Sequence, residues 1–372
     1  GDVYKRQHQY CFKAFKSQKD VPMTTHQTQP LDTLWYTRCP VPTGLGISIQ
    51  KGWLKEKFGG QQIEIKSIRE SNSKDIRNSH FNHTLANSVR HGGSIPAIWA
   101  YASGQKTKVI GLSWADEVQL LLTRYDSNIK TVADLKDKRF GPPLNQDALI
   151  DFSRAQAIRG LENALKTVDL DVSDLELVDC LRADILTAQQ QQPEENDSSF
   201  YGNRNKINAS AEIVALIKGD VDAIFLKGAH AAQIAHDFAL HTIIDIGSHP
   251  DPTLRSNNGT PRTLTVDEDF LNQYPEQAQS IVDAVLQAEQ WAHAHADETH
   301  RYLAKECNSS EQWVHAAYGT DAHLKLNTNF DEISIVALQD LSDFLYRWNF
   351  IPAQINVREW LAQDISIPAQ VA

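Results

Sequence analysis

Short apolar runs alternate with amphipathic segments along the chain from Leu31 onward, the pattern expected of a sheet flanked by helices. The apolar and alternating stretches "LDTLWYT" and "QQIEIKSI" predict strands. Between them, "GLGISIQKGWLKEKFG" predicts one amphipathic helix that begins near Thr43 and ends at Gly59 and Gly60. The next segments are the amphipathic "FNHTLANSVRHGG", the buried run "SIPAIWAYAS" and two apolar runs within "TKVIGLSWADEVQLLLTRYDS".

The second half of the chain continues the same pattern. A turn, a short helix and a strand are predicted in "TVADLKDKRFGPP", further strands in "ELVDC" and "DAIFL", and a helix in "SAEIVALIKGD". The stretch "HTIIDIG" predicts a strand that returns to the first part of the fold. The long stretch from "PRTLTVDEDF" to "HRYLAKE" is predicted to be mostly helical, as is the segment Asp331–Leu361.

This order predicts an α/β protein of two lobes, with mixed sheets flanked by helices and a cleft between the lobes. Residues 31–128 and 245–372 would form the first lobe, and residues 129–244 the second. The polar leader, residues 1–30, is expected to be disordered or artefactual, with natural translation beginning at Met23. The polar, acidic segment Thr187–Asn208 is either a solvated surface loop or a lid.

Composition narrows the classes of partner. The 372 residues are 41% hydrophobic and carry a net charge of −11, without the clustered Lys and Arg surface that nucleic-acid binding needs. No apolar run is long enough to span a membrane, and the leader lacks the apolar core of a secretion signal. We therefore expect a cytoplasmic protein, monomeric, with a small-molecule ligand. The four cysteines, Cys11, Cys39, Cys180 and Cys307, lack C-x-x-C spacing and are expected to be free thiols.

One cysteine occupies a conspicuous position. Cys39 follows the first predicted strand, and Pro40 and Pro42 restrict the backbone on its C-terminal side. In two-lobed α/β folds, ligands lie at the carboxyl ends of the strands. Cys39 is therefore a candidate for a thiol presented to a ligand. The alternative is that Cys39 is simply buried, because cysteine is among the most commonly buried residue types.

A second stretch, "SHFNHTLANSVRHGGSIPAIW", supplies groups suited to an anion. Arg90 offers a planar fork of donors for two oxygens of a carboxylate, sulfinate or sulfonate. Gly92 and Gly93 allow backbone N–H groups to approach a ligand, and His80 is a candidate proton partner for the thiol. Taken singly, each of these residues is more often a surface charge or a structural histidine.

Together these residues carry a resemblance. "DTLWYTRCPVPTG", "VRHGGSIP", "SGQKTKVIGLSW" and "KGDVDAIFLKGAHAAQIA" resemble the aromatic sulfinate desulfinases of dibenzothiophene desulfurisation, from about Leu31 almost to the C-terminus. The resemblance implies a type II periplasmic-binding-protein fold used for catalysis. It implies Cys39 as the essential cysteine, His80 as the active-site histidine, Arg90 as the sulfinate-binding residue and Gly93 as the backbone oxyanion donor.

The reaction so implied is hydrolytic removal of sulfinate from 2′-hydroxybiphenyl-2-sulfinate, giving 2-hydroxybiphenyl and sulfite, with no metal and no organic cofactor. Cys39 would act either as the proton donor to the ring carbon or as a nucleophile on sulfur. Arg38, directly before the cysteine, departs from the family pattern by adding a positive charge. The alternative function is that of a solute-binding protein for a sulfonate-like organic anion, without chemistry.

Two further groups of residues are weaker candidates. His293, His295 and His300 lie in one predicted helical stretch, but a spacing of two places His293 and His295 on different faces, which favours solvated side chains over a metal site. Four tryptophans are candidates for stacking on an aryl substrate, although core packing is the more common role of such residues: Trp35, Trp99, Trp114 and Trp291.

Overall fold

The fold is seen in a computed structural model, which describes residues 30–181 and 211–367. The predictions for the leader, for Met23, for Cys11 and for the segment Thr187–Asn208 lie outside these residues. The described residues from Leu31 onward belong to a single compact unit. No helix in the described part of the chain has both the length and the apolarity needed to cross a bilayer.

A six-stranded mixed sheet and a three-stranded antiparallel sheet organise the fold. The first has the order β13-β4-β12-β3-β1-β2, and the second has the order β10-β5-β11; two parallel pairs, β6-β8 and β7-β9, complete the strands. The strands are β1 Thr33–Arg38, β2 Glu64–Ser67, β3 Ser88–Gly92, β4 Thr107–Ser113, β5 Gln119–Thr123, β6 Arg139–Phe140, β7 Pro143–Leu144, β8 Glu176–Leu177, β9 Cys180–Leu181, β10 Ile224–Lys227, β11 His241–Asp245, β12 Arg262–Asp267 and β13 Thr328–Asn329.

Helices cover both faces of the six-stranded sheet. Neighbouring residues on β4 show this directly, because Val109 packs with the helices on one face and Ile110 with those on the other, as the twofold side-chain period of a strand requires. Residues 211–218 are also helical. The remaining helices are α1 Gly44–Lys51, α2 Trp53–Phe58, α3 Lys74–Asn82, α4 Ser94–Ala102, α5 Phe152–Leu165, α6 Gly228–Asp237, α7 Pro252–Arg255, α8 Glu268–Gln273, α9 Pro275–Ala294, α10 Ala296–Glu306, α11 Glu311–Tyr318, α12 Glu332–Arg347 and α13 Val357–Trp360.

The single helix predicted between Thr43 and Gly59 is in fact two. The predicted start near Thr43 is confirmed, and Thr43 caps α1 by accepting a hydrogen bond from the Gly46 N–H at 3.0 Å. Gly52 adopts φ +80° and closes α1, after which α2 begins at once. A positive φ is readily adopted only by glycine, so the break is fixed by this residue, which the apolar periodicity alone did not reveal.

Two strands, β11 and β12, bring the chain back to segments from its first part. The stretch "HTIIDIG" forms the strand β11, which pairs antiparallel with β5 in the second sheet. The return to the first sheet is made by β12, which lies between β3 and β4. β12 falls in the stretch predicted to be mostly helical; its alternating, β-branched "TLTV" is buried on both faces, and this favours a strand.

The division into two lobes remains a proposal. The pairing of β5 concerns the predicted boundary after residue 128. Strand β5 lies within residues 31–128, the first part of predicted lobe 1, but it pairs with β10 and β11 in the second sheet. The chain therefore passes from one sheet to the other between β4 and β5, earlier than the predicted lobe boundary after residue 128. Because strand pairing depends on partners far away in sequence, local pattern could not locate this crossing.

Candidate active site

Cys39 lies immediately after β1, at the carboxyl end of the strand. Its N–H donates to the carbonyl oxygen of His91 at 3.0 Å, and its own carbonyl accepts from the Val41 N–H at 2.8 Å. The side chain is half-buried. These bonds, together with Pro40 and Pro42, fix the backbone and present the thiol in one direction.

Gly92 makes room for this thiol. A Cβ atom at Gly92 would lie 2.2 Å from the Sγ atom of Cys39, far inside van der Waals contact. Gly92 is the last residue of β3, which pairs in parallel with β1, and Cys39 directly follows β1. Gly92 was predicted to bind the ligand through its backbone; in the structure, the absence of its side chain is what allows Cys39 to occupy its position.

His80 reaches the thiol from the last turn of α3. Its Nε2 atom lies 3.9 Å from the Sγ atom of Cys39, and its Nδ1 atom lies 2.7 Å from the Oγ1 atom of Thr37. The ring is buried and meets the ring of Phe81 edge to face, with centroids 4.7 Å apart. The contact with Thr37 therefore orients the imidazole so that Nε2 faces the cysteine.

Arg90, on β3, ties these groups together. Its Nε atom donates to the carbonyl oxygen of His80 at 2.9 Å, its Nη1 atom to the carbonyl oxygen of Gly93 at 3.1 Å, and its Nη2 atom to the Sγ atom of Cys39 at 3.6 Å. The side chain is only 3% exposed. A guanidinium carries five N–H donors, so two remain for an anion after these three bonds.

Gly93 is the N-cap of α4, and it packs against the buried side chain of Asn258. The sequence therefore identified five residues that the structure brings together: Cys39, His80, Arg90, Gly92 and Gly93. Asn258 was missed because its loop lies far away in sequence. Its only signal was the polar "SNNGTP" stretch, which resembles an ordinary surface turn.

The charge of Arg38 does not act on the thiol as an uncompensated cation. Its Nε atom forms an ion pair of 2.6 Å with the Oε2 atom of Glu306, a side chain that is only 3% exposed. Burial opposes the charge of Arg38, but the Glu306 carboxylate outweighs this and raises the pKa of the guanidinium. The positive charge expected from the sequence is thus largely neutralised by a residue of α10.

Two further histidines near Arg90 are held neutral. Burial, and then the charges of Arg262 and Arg90, lowers the pKa of His91 to about 3. Burial, and then the charge of Arg90, lowers the pKa of His83 well below its usual range. The positive charge presented to a ligand at this site is therefore that of Arg90 and not of these imidazoles.

The candidate tryptophans have other contacts. Trp99 packs against the core beside α12, and Trp114 donates from Nε1 to Asp116 at 2.7 Å. Trp35 and Trp291 each lie beneath a lysine ammonium, at 5.7 and 4.3 Å from the ring centroid. The aromatic rings next to the site are instead phenylalanines: beyond Phe81, the ring of Phe152 is stacked at a centroid distance of 6.1 Å.

The histidine group also differs from its predicted arrangement. His293 and His295 lie at the end of α9, whereas His300 lies in α10 and packs its ring against His315 and His323, at 4.3 and 5.4 Å. Within residues 30–181 and 211–367, no three His, Cys, Asp or Glu side chains are arranged to hold a metal ion. Cys39 and Cys307 are free thiols, as predicted.

The chain is similar in sequence to a known enzyme over most of its length. No protein family model matches the chain. Over 353 residues the chain is 24% identical to the 2′-hydroxybiphenyl-2-sulfinate desulfinase of Rhodococcus erythropolis, with coverage of 90% of this chain and 92% of that protein. The resemblance noted from the sequence motifs is thus supported over most of both chains.

Solved structures show the same fold. A Cys-to-Ser mutant of DSZB in complex with biphenyl-2-sulfinic acid is similar with a TM-score of 0.66, 22% identity and coverage of 89% of this chain and 96% of that one. The alkanesulfonate-binding protein SsuA from Xanthomonas axonopodis, bound to MOPS, is similar with a TM-score of 0.62, 16% identity and coverage of 90% and 99%. The chain therefore has the mixed α/β fold of sulfonate-binding proteins, as predicted.

Proposed function

We propose that this protein is a cofactor-free aryl sulfinate desulfinase, acting on 2′-hydroxybiphenyl-2-sulfinate or a close relative. The observation that carries the proposal is the convergence of His80 and Arg90 on the Cys39 thiol. The 24% identity to a named desulfinase over 90% of the chain supports the choice of reaction. A half-buried thiol between an imidazole and a guanidinium is typical of a reactive cysteine, whereas structural cysteines are buried among apolar groups.

In this proposal, the anion binds at Arg90. The two guanidinium N–H groups not bonded to protein, together with the backbone N–H of Gly93, donate to the sulfinate oxygens. The buried guanidinium is held by the carbonyl oxygens of His80 and Gly93, so its donors need no reorganisation when the ligand arrives. The sulfinate would then lie beside the Sγ atom of Cys39, which accepts from the same guanidinium.

Cys39 then supplies the proton. The thiol protonates the ring carbon that bears sulfur, the C–S bond breaks with its electron pair staying on the carbon, and sulfur dioxide leaves. Water converts the sulfur dioxide to hydrogen sulfite and a proton. His80 passes this proton to the Cys39 thiolate, which becomes a thiol again. Thr37 holds the imidazole so that Nε2 faces the sulfur, as this transfer requires. Overall, one aryl sulfinate and one water give one arene and one hydrogen sulfite.

The alternative role for Cys39 is nucleophilic attack on sulfur. It is less favoured because the sulfinate oxygens carry the negative charge and repel a thiolate. Mass spectrometry of the protein quenched during turnover distinguishes the two. The proton-donor mechanism predicts unmodified Cys39 throughout, whereas a cysteine adduct with the mass of a sulfur-containing intermediate would contradict it.

A second candidate function is binding without chemistry. The likeness to an alkanesulfonate-binding protein over 90% of this chain is the observation that favours it. The thiol between His80 and Arg90 favours the enzyme, because a binding protein has no use for a presented proton donor. The further expectations of a cytoplasmic location and a monomeric state stay part of the proposal.

The deciding experiment is sulfite release from 2′-hydroxybiphenyl-2-sulfinate. We expect the parent protein to release sulfite. In Cys39→Ser the rate of sulfite release should fall by at least about 1000-fold, since a hydroxyl is a much weaker acid than a thiol. Cys180→Ser is the matched control, because Cys180 is buried in the core beside the second sheet. If the parent binds the sulfinate but releases no sulfite, the protein is a binding protein.

A further inference from the structure

The N-terminus of α4 has few donors to offer a ligand. A helix begins with four backbone nitrogens that have no partner within the helix. In α4, these belong to the N-cap Gly93 and to the next three residues, Ser94, Ile95 and Pro96. Proline has no N–H, so three donors remain beside the proposed sulfinate site.

Asn258 takes two of these three donors. The Ser94 N–H donates to the carbonyl oxygen of Asn258 at 2.8 Å, and the Ile95 N–H donates to the Oδ1 atom of the same residue at 2.9 Å. Asn258 is 8% exposed, and it comes from the buried loop that precedes β12. The Gly93 N–H is therefore the one terminal donor of α4 that neither proline nor Asn258 removes.

The carboxamide of Asn258 is locked in place. The backbone N–H of Asn258 donates to the Oδ1 atom of Asn257 at 2.7 Å, and the Nδ2 atom of the carboxamide donates to the Oε1 atom of Gln156, on α5, at 3.4 Å. Asn257 in turn donates from Nδ2 to Gln119 at 3.0 Å. On the other side, a Cβ atom at Gly93 would lie only 2.6 Å from the Oδ1 atom of Asn258. The oxygen thus lies directly against the N-cap and cannot readily rotate away.

We infer that Asn258 is a specificity-determining residue, which makes the site prefer a two-oxygen sulfinate to a three-oxygen sulfonate. The inference rests on the proposed function, because it places the anion at Arg90 and Gly93. Two oxygens are satisfied by the remaining guanidinium donors and the Gly93 N–H. A third oxygen, on a sulfonate, would be directed at α4. A free helix terminus would offer it N–H groups, but here it meets Oδ1 of Asn258, which is also an acceptor. The sulfonate oxygen is then left without a donor, and this lowers the affinity for the sulfonate.

The test is the ratio of two dissociation constants. Calorimetry with biphenyl-2-sulfinate and biphenyl-2-sulfonate, with every protein carrying Cys39→Ser so that the sulfinate is not consumed, gives the preference of the site, which we expect to favour the sulfinate. In Asn258→Ala, the Ile95 N–H becomes available and the opposing oxygen is gone. We expect the ratio to shift toward the sulfonate by about tenfold, the effect of one hydrogen bond to a charged group.

Three variants separate this effect from a general structural one. Asn258→Asp keeps the Oδ1 acceptor, so its ratio should not shift toward the sulfonate. Gln156→Ala removes the hydrogen bond that holds the Asn258 carboxamide but keeps the carboxamide itself, so we expect a smaller shift toward the sulfonate. This variant replaces Asn258→Ala in the test if Asn258→Ala does not fold. Asn356→Ala removes an exposed capping hydrogen bond to Arg358 N–H at the start of α13, and it should leave the ratio unchanged.

The outcomes distinguish this inference from the proposed function. An unchanged ratio in folded Asn258→Ala overturns the inference, even if the parent protein releases sulfite. A shifted ratio supports it, even if the parent protein turns nothing over and the proposed reaction fails. Failure of the parent protein to bind either anion overturns both.

Discussion

At the scale of single residues, a missing side chain matters as much as the reactive ones. Cys39 has its place because Gly92 leaves space on the neighbouring strand, and the Cys39 N–H is held by the His91 carbonyl oxygen. The same strand, β3, carries Arg90, whose guanidinium reaches back to the thiol. Position 92 therefore bears on the proposed reaction through the location of the sulfur.

A methyl group at Gly92 tests this. In Gly92→Ala the new Cβ would overlap the Sγ atom of Cys39, so the thiol must move by an ångström or more. We expect kcat for sulfite release to fall by about 100-fold or more, because displacements of this size have that effect on reacting groups. Gly59→Ala is the control, since a Cβ there meets nothing within 4 Å. Equal kcat values for the two variants would contradict the role given to Gly92.

At the scale of elements, α1 is packed against two buried carboxylates. A Cβ atom at Gly44 would lie 2.7 Å from the Oε1 atom of Glu289, and one at Gly46 would lie 2.7 Å from the Oε2 atom of Glu306. The two glycines in "TGLG" thus let helices α9 and α10 approach the helix that follows Cys39. Glu306 is ion-paired with Arg38, whereas Glu289 accepts hydrogen bonds from Thr328.

Glu289 makes the packing of these helices pH-dependent. Burial outweighs the hydrogen bonds from Thr328 and raises the pKa of Glu289 to about 7. Between its unfolded value near 4.5 and about 7, the folded protein keeps a proton that the unfolded chain has lost. The free energy of unfolding must therefore fall as pH rises through this window, by about 3 kcal/mol at most, and the contribution is constant above it.

Denaturant unfolding between pH 4.5 and 8 checks this expectation. Glu289→Gln has no titrating group, so the difference in unfolding free energy between it and the parent should change by about 3 kcal/mol across the window. Glu276→Gln, at an exposed position in the first turn of α9, is the matched control and should run parallel to the parent. A pH-independent difference for Glu289→Gln would show that Glu289 is ionised in the folded protein.

At the scale of the whole molecule, a buried charged cluster joins the two sheets. Glu117 lies in the crossing between β4 and β5, and its Oε1 atom forms an ion pair of 2.5 Å with Lys227, at the end of β10 in the second sheet. Its Oε2 atom accepts from the Tyr318 hydroxyl and lies 3.6 Å from Arg262, on β12 in the first sheet. Burial opposes ionisation, but Lys227 and Arg262 outweigh it and lower the pKa of Glu117.

Removing the carboxylate of this cluster alone should cost more than removing it together with Lys227. We expect Glu117→Gln to lower the free energy of unfolding by about 3–5 kcal/mol, because it leaves buried cations without a counter-charge. The double variant Glu117→Leu with Lys227→Met should lose less than the single variant, since it removes one of the two cations that Glu117 balances and leaves only Arg262 without a counter-charge. Glu64→Gln, which breaks an exposed pair with Lys66, should cost less than about 1 kcal/mol in the same denaturant measurement.

The sequence by itself determined the local elements and the chemical groups. Strand β1, the start of α1 near Thr43 and the strand character of β11 followed from the apolar pattern and the helix-start signals, which depend on neighbouring residues. The motifs around Cys39 and Arg90 identified five candidate site residues. They could be recognised locally, because the backbone restriction of proline and the hydrogen-bond donors of arginine belong to the residue type itself. The resemblance to known desulfinases then supplied the reaction.

Tertiary structure alone decided which strands pair and how the site is completed. The place of β5 in the second sheet, and of β12 between β3 and β4, depends on partners more than a hundred residues away in sequence. The neutralisation of Arg38 by Glu306 spans 268 residues, and the capping of α4 by Asn258 spans 163. Such contacts form only when the chain has folded, because their stability comes from burial and geometry that no local pattern encodes.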